Sequence, residues 1–295
     1  MTSTEAAARS SEAAAKIRAR RADRDRVVRT ALAYWRDHPQ RSVETLGRQT
    51  VMAGRAGAEL VTSMIRRRFP YGEFIRQCAF MANVAAIPTL LVAIPIAVVV
   101  AVQVGSLVSQ VGATTFIGAV NGLGIIRQGA PLVTSLMIAG AVGSSMCADL
   151  GSRTIREEID AMKVMGVDPI RRLVAPRLAA AVLVSMLLCG FVVFIGFATG
   201  YLFNVYIQSG TPGSYISTFA SFAVAADLAV AVFKAMVFGA LTAIIACDTG
   251  LNTKGGPASV ANSVNSAVVS SAIILFGVNV IITQIYNTVM PSKVL

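Results

Sequence analysis

Apolar positions in this chain fall in long uninterrupted blocks, separated by short stretches where charge and turn-forming residues return. No charge occurs from Gln77 to Ile126, from Gln128 to Ala148, or from Leu178 to Ala226. The block "NVAAIPTLLVAIPIAVVVAVQVG", residues 83–105, is the first able to cross a bilayer, which takes about 20 apolar residues. Pro88 and Pro95 are expected to bend it. Residues 106–121 are softened by Ser106, Ser109, Gln110, Gly112, Thr114 and Thr115 and read as an outer turn. Further spans are expected over 125–149, 178–206, 228–249 and 266–289. Residues 216–226 are apolar but too short to span and read as a short outer helix; 249–259 reads as an inner loop. The pattern predicts an all-α integral membrane protein with five transmembrane helices.

Ahead of the spans the chain is different. Residues 1–42 form a basic tail, either a solvated helix or disordered, expected in the cytoplasm. Residues 43–82 are expected to form an interfacial helix and an elbow. Leu46, Ala53, Leu60 and Met64 fall on one helical face, and Arg66, Arg67 and Arg68 follow. Residues 83–295 then make the transmembrane domain.

Composition agrees. The chain is 55% hydrophobic and 14% charged, where soluble domains carry about 25% charged residues. Its net charge of +11 does not point to nucleic acid, because the basic residues are clustered. Sixteen of the 26 Lys and Arg lie in residues 1–78, six in 151–177, and Lys254 stands in the second inner loop. That asymmetry puts the N-terminus and both loops inside and the C-terminus outside. Cys78, Cys147, Cys189 and Cys247 are far apart, with no metal-binding spacing. No cleavable signal peptide is expected, since the first long apolar run begins near residue 79.

The stretch "EEIDAMKVMGVDPIRRLVAPR", residues 157–177, interrupts this pattern with eight charges. It reads as two short helices. Ile155, Ile159, Met162 and Met165 make an apolar stripe at helical spacing. Gly166 suits the left-handed position that ends a helix. Asp168 and Pro169 fit the cap and first position of the next, and Pro176 marks the start of the third span. A stripe in a cytoplasmic loop either enters a groove on a partner protein or lies on the inner leaflet.

With its flanks, "CADLGSRTIREEIDAMKVMGVDPIRRLVAPRLAA" resembles the cytoplasmic-loop motif of the MlaE/YrbE permeases. "RQGAPLVTSLMIAGAVGS" (127–144) and "ACDTGLNTKGGPASVANSVNSAVV" (246–269) agree with it. The resemblance covers about residues 45–290 and is greatest to YrbE subunits of actinobacterial (mycobacterial) Mce systems. It implies the permease subunit of an ATP-driven lipid transporter in the inner membrane. The implied cargo is fatty acids, mycolic acids or sterols, and the implied partners are a second permease, a cytoplasmic ABC ATPase dimer and MCE-domain proteins on the outer side. The island becomes a coupling helix that docks on the ATPase through Glu157, Glu158, Ile159, Asp160, Met162, Met165, Arg171 and Arg177. Where the family often has Arg-Glu, this chain has Arg127-Gln128, and it has Ala141 where the family often has arginine. Pairing with a non-identical permease is therefore expected over a homodimer.

No G-x-x-x-x-G-K-[ST] phosphate loop occurs in the sequence, so ATP is expected to be bound by the partner and no cofactor by this chain. Charge at bilayer depth costs at least about 2.5–3.5 kcal/mol and faces a cavity or a partner. Asp149, Lys234 and Asp248, with Arg127 towards the outer side, are the candidates for gating. Asp227 reads as lying at the outer mouth. Lys234 is expected to face a cavity or an acid; it serves either gating or pairing alone. Two other functions are compatible with these features: a proton-coupled secondary transporter, and a non-transporting scaffold for MCE proteins.

Overall fold

A computed structural model describes residues 44–63, 65, 69–208 and 210–289. The expected basic tail, the Arg66–Arg68 cluster and the C-terminal residues 290–295 lie outside the described residues. The chain divides into two units, 1–51 and 52–295. In the first, residues 44–51 are helical. The second is helical throughout, with no strand among the described residues.

The second unit opens with helical residues 52–63 (α1). Then come α2 (Tyr71–Gln110), α3 (Ile117–Ile155), α4 (Glu158–Val164), α5 (Ile170–Tyr206), α6 (Pro212–Phe222), α7 (Ala225–Leu251) and α8 (Pro257–Val289). Five of these, α2, α3, α5, α7 and α8, are long and apolar enough to cross a membrane. This is the five-span count read from the hydrophobic blocks. The short helix expected over 216–226 is present as α6, beginning earlier, at Pro212.

Boundaries differ from the pattern where polar residues serve packing. Helix α2 starts at Tyr71, before the apolar run, and continues unbroken through Pro88 and Pro95 to Gln110. Ser109 donates to the Ser106 carbonyl at 2.9 Å, so the hydroxyls expected to make a turn are absorbed into the helix. The turn itself is short and centres on Gly112, at φ +70°. Helix α3 begins at Ile117 because its first residues, "IGAVNGLG", form a contact surface. A Cβ on Gly122 would meet the Phe219 ring of α6 at 2.5 Å.

The buried face of α2 repeats every fourth residue: Gln77, Met81, Ala85, Thr89, Ala93, Ala97, Ala101 and Gly105. Such a seam of small side chains lets backbones approach closely in a bilayer. It packs chiefly on α5, whose other side packs on α7. Ala180, Ala181, Ala235, Ala243 and Ala246 are buried along α5 and α7. Gly196 and Gly200 of α5, spaced as G-x-x-x-G, admit α3: a Cβ at Gly196 would stand 2.6 Å from Ile125, and one at Gly200 would meet Asn121 closer still. Helix α7 also packs on α3 and α8.

Three segments are wound as π-helix: Ile125–Gly129 and Ile138–Gly143 within α3, and Ile170–Val174 opening α5. The last corrects the reading of the island as two separate helices. Pro169 starts a widened turn that runs directly into the third span and seats Pro176 in its first α-helical turn. Ile155 is likewise the last residue of α3 and not part of the island stripe. Glu157, at φ +61°, breaks the chain between them.

Candidate functional site: two ionic clusters and an exposed loop

The start of α7 carries Asp227, 2% exposed. Arg127, in the first π segment of α3, grips it with two bonds, Nε to Oδ1 at 2.9 Å and Nη2 to Oδ2 at 3.2 Å. Tyr286 of α8 donates its hydroxyl to Oδ1 at 2.5 Å, and its ring lies 5.8 Å from the guanidinium carbon. One carboxylate thus joins three spans. A bidentate arginine pair is the strong form of such a bond.

Two turns along α7 stands Lys234, also 2% exposed. Its ammonium donates to Thr283 Oγ1 at 2.8 Å and to the Arg127 carbonyl at 3.4 Å. Of the two surroundings expected for Lys234, a cavity or an acid, it lines a cavity. The acid of this cluster is Asp227, and arginine and tyrosine occupy it; Lys234 donates to neutral oxygens. A cavity of about 230 Å³, lined by Arg127, Gln128, Asp227, Lys234, Thr283 and Tyr286 among others, opens here. With Arg127 and Lys234 against Asp227, its lining carries net positive charge.

At the other end of the same spans, Arg177 of α5 is 1% exposed and bonded to Asp149 of α3. Arg153 takes the second carboxylate oxygen, Nε to Oδ1 at 3.2 Å. Asp248 of α7 is buried and accepts from Asn252 Nδ2 at 3.0 Å. Thr154 ties the end of α3 to α7 through the Gly250 carbonyl at 3.2 Å. Arg177, read from the sequence as a docking residue, is instead sealed inside.

Between α3 and α5 lies the island. The Asp168 carboxylate accepts the Ile170 N–H at 2.9 Å, and Gly166 is at φ +75°; both caps stand where the sequence put them. The stripe does not face outward as a unit. Ile159 is 3% exposed and belongs to the buried cluster of Leu150, Leu173 and Val174, with Met162 packed against it. The most open apolar residues are Val164, 89% exposed, and Met165, 70% exposed, with Val167 beside them. Glu157, Glu158 and Asp160 are on or near the surface around them, with Lys163 bonded to Asp160 at 2.8 Å. Arg171 reaches Glu59 of α1 at 3.9 Å.

Sequence reading missed Tyr286 and Thr283 as partners. The signal was available in their spacing, since Asn279, Thr283 and Tyr286 fall on one face of α8. Among the described residues no cluster of His, Cys, Asp or Glu could hold a metal ion.

A family model for the permease MlaE matches residues 74–285. A probable ABC transporter permease protein of Synechocystis sp., slr1045, is 36% identical over 181 residues, covering 61% of this chain and 69% of that one. A probable ABC transporter permease protein of Rickettsia bellii is 29% identical over 226 residues, covering 77% and 87%. The chloroplast protein TRIGALACTOSYLDIACYLGLYCEROL 1 of Arabidopsis thaliana is 31% identical over 182 residues, covering 60% and 51%. A matched region of this length, together with five membrane-length helices, makes the chain a multi-pass membrane protein belonging to the MlaE permease family.

Proposed function

We propose that this chain is the permease subunit of an ATP-driven lipid transporter of the Mce type, moved by a separate cytoplasmic ABC ATPase. Helix α4 is the coupling element. The observation that carries this is the division of the island into an inward and an outward face. Ile159 and Met162 fix α4 to the core formed by α3 and α5, while Val164 and Met165 remain bare amid charged side chains. Motion imposed on that outward face reaches both spans through Ile159 and the Arg177–Asp149 pair. The relatives named as probable ABC transporter permeases support the division of labour, and the sequence, which has no G-x-x-x-x-G-K-[ST] phosphate loop, is consistent with it. Glu157, Glu158, Asp160 and Arg171 form the rim of the docking patch.

In this reading the N-terminus, the island and the loop carrying Lys254 face the cytoplasm, and the chain sits in the inner membrane. A non-identical permease completes the membrane unit, and MCE-domain proteins receive or deliver lipid on the far side. The cargo class is fatty acids, mycolic acids or sterols. Arg127, Asp227 and Lys234 serve gating at the outer end.

The test is retention of the ATPase by detergent-solubilised permease. Met165→Asp puts a charge at the centre of the patch without touching the core and is expected to release the ATPase, since anchors of this kind carry more than about 2 kcal/mol. Glu157→Ala should alter only the salt dependence. Full retention by Met165→Asp sinks α4 as the docking element.

A further inference from the structure

We propose that a groove between the far ends of α2 and α5, at the opposite end from the island, binds an uncharged amphiphile through its hydroxyl group. The groove encloses about 640 Å³. Its polar lining is Ser106, Ser109, Thr115, Gln208, Thr211 and Ser214, and no charged side chain lines it. Val102, Ile117, Phe203 and Ile207 form apolar walls. Val102 and Ile207 are exposed at the mouth, continuous with the apolar flanks of the spans.

The hydrogen bonds already made inside the groove select the ligand. Ser109 donates to the Ser106 carbonyl at 2.9 Å, and Ser214 to the Thr211 carbonyl at 2.9 Å. Thr211 donates to the Ser214 hydroxyl at 2.8 Å. These hydroxyls have spent their protons, so what they offer a ligand is lone pairs. Gln208 is turned the other way. Its Oε1 accepts from Asn204 at 3.3 Å, and its Nε2 lies against Gly105, in the space a Cβ there would fill. The groove therefore presents acceptors on Ser109 and Ser214 beside donors on Ser106, Thr115 and Gln208, all of them uncharged. A ligand hydroxyl satisfies both, donating to serine and accepting from Gln208. A carboxylate or phosphate only accepts, and it would lose water with no counter-charge to replace it.

The site lies outside both ionic clusters. It rests on the lipid-permease reading only in the choice of amphiphile, and binding is measured without ATPase or transport.

The full chain, purified and placed in phosphatidylcholine nanodiscs, is exposed to three photoactivatable probes: a sterol, a diacylglycerol and a fatty acid. Labelled peptides are then mapped. The sterol or the diacylglycerol should label residues 102–109 and 203–214 about fivefold more than the fatty acid, the ratio one net hydrogen bond gives. Which of the two labels identifies the source of the hydroxyl. Gly105→Leu, which fills the groove, should bring labelling to background. Ser106→Ala with Ser214→Ala, which leaves the space open and the backbone untouched, should cut it by more than half. Equal labelling by the fatty acid, or labelling that both variants leave intact, overturns the proposal.

Discussion

The two ionic clusters use the same chemistry at opposite ends of the same helices, and they differ in how completely the charges are closed off. At the island end Arg177 is fully buried, and its carboxylate partner is shared with the half-exposed Arg153. At the other end the acid is the buried member. Arg127 stays 31% exposed at its side chain, and Lys234 is buried on neutral oxygens beside a cavity. The island end is a fastening; the far end is a polarised chamber. Under the proposed function the first would carry force into the spans and the second would yield.

Three variants test that contrast, and unfolding can be followed with a thiol-reactive dye because Cys147, Cys189 and Cys247 are buried. Asp149→Ala should have the largest effect. It strands Arg177 without water, a loss of about 3–5 kcal/mol, which is on the order of 10 °C in midpoint. Adding Arg177→Met should restore most of it, since a packed apolar pair replaces a buried ion pair at little cost.

Asp227→Ala comes next, at about 1–3 kcal/mol. Arg127 keeps its exposed side and its contact with the Tyr286 ring, so the midpoint should fall by less than in Asp149→Ala. A larger fall would invert the comparison.

The smallest shift in stability is expected from Lys234→Met, within about 1 kcal/mol. Thr283 already donates to the Asn279 carbonyl at 2.6 Å and loses only what it accepted. Lipid uptake should drop nonetheless, with Lys234→Arg keeping part of it. If uptake is unchanged and the midpoint collapses, Lys234 is a strut and the far cluster is a second fastening.

How much of this could be read in the sequence follows from the range of each interaction. The five spans were legible because apolar blocks of membrane length have one stable use. So were the caps at Gly166 and Asp168, which depend on backbone within two or three residues. The orientation of the island stripe was only half legible. Periodicity identifies a face, but not whether that face turns towards the chain's own core, and the break at Glu157 moved Ile155 to another helix. The Arg127–Asp227 pair joins residues 100 positions apart, and no local pattern connects them. Gln110 and the serines near it read as turn because the same residues suit a helix end, a turn and a polar groove.

The π-wound turns of α3 bear on how this helix can be altered. Each widened turn acts as a phase insert, so residues beyond it are indexed about 100° away from where an α-helix would put them. Asp149 lies beyond both inserts and Arg127 within the first. The helix therefore tolerates the loss of one residue within a widened turn far better than in its α-wound stretches. Deleting one residue from Ile138–Gly143 would let that turn revert to α-winding and cancel the insert, so Asp149 would stay in line with Arg177. Deleting Ser145 from the α-wound stretch beyond it, with the widened turn kept, would leave Arg127 on Asp227 and swing Asp149 about 100° out of line with Arg177. The two ends of the molecule would then be out of phase while every charged side chain named above was still present.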